Sequence, residues 1–413
     1  MSVNMILRRE AELRRVRQGP LGPYQDLYAK RLIEAGFARE SIRRRLWAAA
    51  HLSQHLEREK LSTQQLDEEA LASFLSVRTR YGQYYRTDPA AVRDMLALLR
   101  EVGACPPPPA ATLSPDEETI ADFHQYLIRE RGLADRTIER HLRVAHLLDR
   151  WRGDRLSRWA TLTPADIMMD FVEKHVHGLS RGHASNVCDS LRAFIRYLRY
   201  RGEITADLAG AIPRVGQWKL STLPPSLDPH EVQRVLDHCD RNTALGRRDY
   251  AILVALARLG LRACEVAALT LDDIDWHGGL LHLPRTKSGG SATLPLPKQV
   301  GQAIADYLQH GRPRSESRAV FLRQLAPHQG LRCSSSIGYV VRSAIRRAHV
   351  QAPRGAAHLF RHGLAAQMLR NGASLRLIGE LLRHQHPDTT RIYAKVDLAA
   401  LRQLALPWPG GAQ

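Results

Sequence analysis

Lysine is nearly missing from this chain. Only seven of its 60 basic residues are Lys, and the rest are Arg. Cysteine is sparse: Cys105, Cys188, Cys239, Cys264 and Cys333 are scattered and odd in number. No Cys-x-x-Cys pair occurs, so neither a zinc knuckle nor a disulfide framework is indicated, and a reducing cytoplasm fits. No apolar run approaches the ~18 residues that a membrane span requires. The Arg-rich N-terminus has no apolar core, so no signal peptide is expected. Acid is also in short supply: 42 Asp and Glu leave a formal net charge of +18 and a pI near 10.2. That surplus favours a polyanionic partner, with nucleic acid first in line. Arg in particular suits bidentate contacts to phosphate. A solvated basic surface or an Arg-rich codon bias gives the same charge, and charge alone does not decide between them.

A chain of 413 residues is expected to hold two or three domains. Residues 1–20, with Arg8, Arg9, Arg14, Arg15 and Arg17, read either as a frayed basic arm, a solvated tail before a contact to DNA backbone, or as the first turns of a helix. Residues 21–104 read as short helices. Leu27, Leu32 and Ile33 begin an apolar face that Ile42, Leu46 and Leu52 continue. Four prolines, Pro106 to Pro109, break any helix and make residues 105–113 a stiff linker. Ser114-Pro115-Asp116-Glu117 is a helix start: a Ser cap, Pro first, Glu three after the cap. Thr163-Pro164-Ala165-Asp166 opens another helix, and Leu191, Phe194, Ile195 and Leu198 form a stripe of period 3.6. The second helical region therefore runs over 114–214. Residues 215–227, with Leu223-Pro224-Pro225, read as a second linker. Asp228-Pro229-His230-Glu231 repeats the capping signature and opens the last domain, 228–413.

In that domain, Ala251 to Leu259 is apolar all round but for Arg258, as a buried helix should be. Leu280 to Leu283 and Thr293 to Leu296 read as short strands flanking Lys287. Ala303 to Leu308, Ile337 to Ala348, Ala365 to Leu369 and Leu375 to Leu382 read as helices. The fold class is mainly α with a small antiparallel sheet in the C-terminal domain.

The two helical regions resemble each other. Gly36 aligns with Gly132, Leu46 with Leu142, Leu52 with Leu148, Met95 with Phe194 and Gly103 with Gly202. We read 21–104 as a duplicate of 114–214; two unrelated amphipathic segments are the plainer alternative.

The chemistry gathers in the last third. His384-Gln385-His386-Pro387-Asp388-Thr389-Thr390-Arg391-Ile392-Tyr393 puts a Tyr nine residues after a His. In His358-Leu359-Phe360-Arg361, the His and Arg are three apart and share a helical face. Arg262 follows Leu259-Gly260-Leu261, with Glu265 three residues on to hold its guanidinium. Lys287 stands in Thr286-Lys287-Ser288-Gly289-Gly290, where the glycines permit a hairpin turn. Taken singly, each has a plain reading as a surface Arg, a solvated hairpin Lys or a neighbouring His. His358 and His362 are four apart, as zinc-binding His pairs are. That motif needs Glu directly after the first His, however, and here Leu359 stands there with no third ligand evident.

In this order, the five elements resemble the tyrosine recombinase (phage integrase) family, over about Thr112 to Leu406. The resemblance implies two SAM-like helical domains followed by the integrase catalytic fold, with 114–214 as the core-binding domain. It implies a site-specific recombinase that cuts and rejoins DNA through a 3′-phosphotyrosyl intermediate, with Tyr393 as nucleophile. Arg262 and Arg361 are then the phosphate clamps, which stabilise charge as it builds on the non-bridging oxygens. His358 and His384 assist, the spacing to Tyr393 selecting His384 over His386, and Lys287 is the general acid. No metal or cofactor is implied. The expected partners are double-stranded DNA and, on paired sites, a homotetramer held by exchange of the segment after Tyr393. Val396, Leu398, Leu401 and Leu404 make an apolar stripe there. Partner recombinases are a further expectation, and no membrane is expected. A bacterial, nucleoid-associated cytoplasmic location and a role in transposition or integration of a mobile element fit this picture. The competing readings are a type IB topoisomerase-like enzyme and a non-catalytic DNA-binding architectural protein.

Two departures from the family pattern stand out. Arg383 occupies the place of the Gly that usually precedes the second His, and the hairpin lacks a second basic residue after its Lys. For DNA contacts, Arg39, Arg43 and Arg44 cluster near one helix start, as Arg136, Arg140 and Arg143 do in the second copy.

Overall fold

The computed structural model describes residues 3–82, 85–108, 113–153, 159–216, 224–284, 290–331, 333–352 and 357–396. By contacts the chain divides into two compact units: Met1–Pro108 with Thr222–Gln413, and Pro109–Ser221. The first of these has separate hydrophobic cores for its two sequence segments.

The N-terminal segment is helical: α1 (Glu10–Val16), α2 (Gln25–Glu34), α3 (Arg39–Arg58), α4 (Glu68–Arg80) and α5 (Asp88–Glu101). Tyr28, Leu46, Leu52, Met95 and Leu99 are fully buried in its core. The Tyr28 hydroxyl donates to the Ala91 carbonyl at 2.8 Å, which satisfies the polar end of a buried ring. The first residues follow the helical alternative and not the solvated arm. Val3, Ile6, Leu7 and Val16 are buried in this core, and Arg39 donates twice to the Ile6 carbonyl, at 2.9 and 3.2 Å. The Arg residues of that stretch occupy its wet face, while its few apolar residues set its position.

The second unit contains α6 (Pro115–Arg129), α7 (Asp135–Gly153), a π-helical turn (Asp166–Val172) leading into α8 (Glu173–Val176), and α9 (Arg181–Tyr200). The Ser114 capping box forms as its spacing predicts: Glu117 N–H donates to the Ser114 hydroxyl, and Ser114 N–H donates to the Glu117 carboxylate. Phe123, Leu148, Phe171, Leu191, Phe194 and Leu198 fill this core. Its helix order echoes that of the N-terminal segment. In both, a Gly with positive φ (Gly36 +80°, Gly132 +55°) precedes the long helix, and another (Gly103 +72°, Gly202 +77°) follows the last one.

The C-terminal segment opens on α10 (Pro229–Asp237), capped by Asp228. Next comes α11 (Ala244–Leu259), a central helix buried on every side from Ala251 to Leu256. A short α12 (Ala263–Ala268) leads to the sheet. The strands are β1 (Ile274–Asp275), β2 (Leu280–Leu283) and β3 (Ala292–Pro295), antiparallel in the order β1-β2-β3. Leu281 pairs with both Ile274 and Leu294, and these three face the core, whereas His282 and Thr293 face out. Strand β1 was not anticipated, since two residues carry no readable period. The helices α13 (Lys298–His310), α14 (Ser334–Arg347), α15 (His358–Arg370), α16 (Leu375–Leu381) and α17 (Pro387–Arg391) complete it. Helix α11 packs against α13 and α15, which ties the site-bearing α15 to the most buried element. Among the described residues, no helix is long and apolar enough to cross a membrane.

Candidate active site

Four sequence-distant pieces of the C-terminal segment meet. Gly260 ends α11 in the left-handed conformation (φ +57°), which glycine adopts without strain. The turn it makes leaves Arg262 as the N-cap of α12. Glu265 folds back on that cap. Its Oε2 accepts from the Arg262 backbone N–H at 2.8 Å, and its Oε1 accepts from Arg262 Nη1 at 2.9 Å. The Glu265 side chain is 1% exposed, and these donors compensate the burial of its carboxylate.

Arg361 lies on α15 and is 3% exposed. Its Nη1 donates to the Gly260 carbonyl and its Nη2 to the Leu382 carbonyl, which fixes the guanidinium plane between two chain turns. Burial, with the positive charges of Arg262 and Arg383 adding to it, lowers its pKa to about 10. It is therefore still a cation at neutral pH. Close packing holds α15 in place: a Cβ at Gly363 would lie 2.6 Å from the Leu227 carbonyl oxygen.

Helix α16 ends in a Schellman turn. His384 N–H donates to the Gly379 carbonyl at 2.9 Å and Arg383 N–H to the Glu380 carbonyl at 3.0 Å. Arg383 takes the left-handed position at φ +55°. A non-glycine residue there costs roughly 1–2 kcal/mol, which explains the glycine preference noted at this place in the sequence pattern. Here the Arg side chain is put to use: Nη2 donates to Glu265 Oε2 at 2.8 Å, and the Arg383 carbonyl accepts from Arg262 Nη2 at 3.3 Å.

Tyr393 sits in a single 3-10 stretch, Ile392–Val396, directly after α17. It is 1% exposed and packs with Ala365, Ile378 and Leu382. Its hydroxyl shares a 2.8 Å hydrogen bond with His362 Nδ1. Burial pushes the Tyr393 hydroxyl up to about 12, with Arg361 opposing that shift. Burial, reinforced by His358 and Arg361, brings His362 down to about 4. The ring is thus neutral at pH 7, and with the proton on Nε2 it accepts from the hydroxyl. The His384 ring lies parallel to Tyr393 with centroids 6.4 Å apart, and its Nδ1 bonds the Thr390 hydroxyl at 2.8 Å. Burial and the nearby Arg361 and Arg262 bring His384 down to about 4 as well.

Of the residues singled out in the sequence, Arg262, Arg361, His384 and Tyr393 are brought together. His358 is exposed at the start of α15, its ring 6.0 Å from that of His362. His386 is the exposed N-cap of α17. Lys287 and the stripe after Tyr393 (Leu398, Leu401, Leu404, with the Val396 side chain) lie outside the described residues. His362 was weighed only as one of a zinc pair, and its bond to Tyr393 had no local signal. Among the described residues no three His, Cys, Asp or Glu side chains gather as metal ligands would. Of the basic residues proposed for DNA, Arg39 is engaged with Ile6, while Arg43 and Arg44 share Glu40 at 3.0 and 3.3 Å. Arg140 donates to Asn186 at 2.9 Å, and Arg136 and Arg143 are exposed on α7.

The sequence model of the phage integrase family matches residues 225–399, and that of the phage integrase N-terminal SAM-like domain matches residues 120–202. The protein y4rA of Sinorhizobium fredii, an integrase/recombinase by name, is 43% identical over 97% of this chain and 98% of its own length. The tyrosine recombinase XerD of Listeria monocytogenes is 30% identical over 70% of this chain and 97% of its own. Two solved structures share the fold. A XerH site-specific recombinase bound to palindromic difH substrate has a TM-score of 0.52 at 16% identity, covering 88% of this chain and 95% of that one. A lambda integrase dimer bound to a COC′ core site also has a TM-score of 0.52, at 14% identity, covering 68% of this chain and 95% of that one. With a family model over most of its C-terminal half and close to full-length relatives, this chain belongs to the phage integrase family and is a tyrosine-type site-specific recombinase.

Proposed function

We propose that this recombinase cuts and rejoins double-stranded DNA through a 3′-phosphotyrosyl intermediate on Tyr393. What supports this most is the convergence of Arg262, Arg361, His384 and Tyr393 from four separate turns of the chain around one small volume. The Tyr393 oxygen attacks the scissile phosphorus, the bond to the 5′ oxygen breaks, and that oxygen leaves with a proton. Arg262 and Arg361 hold the non-bridging oxygens, where fixed donors count most as charge builds up. The tyrosine proton passes to a neighbouring base, with His362 within hydrogen-bond distance. Lys287 is the proposed acid for the leaving oxygen, and His358 and His384 assist at the phosphate. Rejoining reverses the step: a 5′ hydroxyl of another strand attacks the phosphotyrosine and releases Tyr393.

The net charge of +18 suits the DNA backbone. In this reading, residues 114–214 grip the core site, and residues 21–104 add a second DNA-contacting helical module without catalytic groups. The segment after Tyr393 links protomers into a tetramer on paired sites. A nicked suicide duplex tests the chemistry. Wild type should form a denaturation-resistant protein–DNA adduct in EDTA, and Tyr393→Phe should form none while still binding. An adduct with Tyr393→Phe, or one that appears only with added divalent metal, would refute the mechanism. Exchange between two sites, as opposed to relaxation of a supercoiled plasmid alone, separates recombination from topoisomerase action.

A further inference from the structure

The turn Leu382-Arg383-His384 meets Arg262, Arg361, Glu265 and Tyr393. The Leu382 carbonyl receives Arg361, the Arg383 carbonyl receives Arg262, and His384 stacks along Tyr393. Its middle residue is an Arg in a left-handed conformation, 10% exposed and aimed at Glu265. A strained backbone that persists at such a place points to a use for the side chain.

The use can be read from the Glu265 carboxylate. Oε2 already serves two donors, the Arg262 backbone N–H and Arg383 Nη2, both at 2.8 Å. Only Oε1 is left for the Arg262 side chain, which reaches it through Nη1 at 2.9 Å. An unshared carboxylate draws a guanidinium into a two-bond fork. Here that fork is blocked, and among the described residues Arg262 Nη2 has only the longer contact to the Arg383 carbonyl at 3.3 Å.

We propose that Arg383 is a positioning residue of the recombination reaction: by occupying Glu265 Oε2 it keeps Arg262 on a single bond, with Nη2 available to the scissile phosphate. A second consequence is electrostatic. Arg262, Arg361 and Arg383 share one carboxylate, so the pocket keeps a surplus of positive charge for a phosphate that gains negative charge as it reacts. With glycine at 383 the same turn forms, yet Glu265 Oε2 keeps only the Arg262 backbone N–H and has room to draw in the Arg262 guanidinium as well.

This inference rests on Arg262 being a phosphate ligand, and its test is separate from the test of that reading. Adduct formation by wild type and its loss in Tyr393→Phe test the chemistry. The comparison of Arg383 variants tests the positioning. The probe is a nicked duplex carrying a site that wild-type protein cleaves, selected with wild type from a random-sequence library. Adduct rate at saturating protein, Kd by anisotropy and the thermal midpoint are measured for Arg383→Ala, Arg383→Gly, Arg383→Lys and Glu265→Gln. Arg383→Ala and Arg383→Gly should lose on the order of 10- to 100-fold in saturating rate, with Kd changed by less than about threefold. Arg383→Gly should do so with a smaller drop in thermal midpoint than Arg383→Ala, because glycine suits the left-handed turn. Arg383→Lys should recover part of the rate by restoring one donor to Oε2. Combined with Glu265→Gln, Arg383→Ala should add little further loss, as two residues acting through one carboxylate are not additive. A wild-type rate in both Arg383→Ala and Arg383→Gly would overturn the proposal. So would a Kd loss equal to the rate loss, which marks a direct phosphate anchor. A slow Arg383→Ala beside a fast Arg383→Gly would leave only the backbone conformation as important, and would also overturn it.

Discussion

Replacing Glu265 by Gln should destabilise the C-terminal domain even without DNA. The carboxylate is 1% exposed and receives three donors: the Arg262 N–H at 2.8 Å, Arg262 Nη1 at 2.9 Å and Arg383 Nη2 at 2.8 Å. Gln keeps the shape and one acceptor, but it sets an amide N–H against a guanidinium donor. It also leaves Arg262, Arg361 and Arg383 without their shared counter-charge. Breaking a buried pair by removing one partner costs about 3–5 kcal/mol. The lower part of that range applies, because Arg262 and Arg383 retain 15% and 10% exposure and water reaches them. For a domain of this size, about 3 kcal/mol lowers the thermal midpoint by roughly 6–12 °C. Calorimetry on the full chain, following the transition that the substitution moves, is the assay. Sulfate supplies a second readout. An anion bound among the three Arg replaces the missing charge, so sulfate should stabilise Glu265→Gln more than wild type at equal ionic strength. A midpoint within about 1 °C of wild type, which corresponds to well under 1 kcal/mol, would refute the reasoning. Equal sulfate stabilisation of the two proteins would refute it as well.

Gly363→Ala sets a Cβ 2.6 Å from the Leu227 carbonyl oxygen; it should cost about 1–3 kcal/mol, seen as a lower urea midpoint, and an unchanged midpoint would show that α15 has slack. His362 and His384 both titrate near 4 in the fold, lowered first by burial, against an ordinary 6.5. The unfolded chain therefore takes up their protons first as pH falls, so their contribution to stability is complete above about pH 6.5 and is lost between there and about pH 4. His362→Asn should flatten the urea-midpoint profile across that window, and a variant with the wild-type slope would count against a neutral buried ring. Arg143, exposed on α7, should lower the log–log salt slope of DNA binding by about 0.9 when changed to Ala, if it meets one phosphate; an unchanged slope would remove it from the interface.

Much of this molecule was legible in its sequence, because the relevant signals are local. The capping boxes at Ser114 and Asp228, the largely apolar Ala251–Leu259 and the strands around residues 280–296 depend on neighbours within a few residues, and they form where the pattern places them. The Arg262–Glu265 pair, three residues apart, is of the same kind. Tertiary structure decided the rest. Residues 1–20 read as a charged tail as readily as a helix because their Arg residues outnumber Val3, Ile6, Leu7 and Val16, yet burying those few residues is what holds them. His362 meets Tyr393 across 31 residues, and Arg383 meets Glu265 across 118. No period or spacing encodes such pairs, since the partners are set by the packing of α15 and α16 against the end of α11. The left-handed turn at Arg383 shows the division most plainly. From the sequence, Arg383 was a departure from the expected glycine. In the fold, a buried carboxylate stands within reach of the guanidinium, and the pairing offsets the strain of that turn.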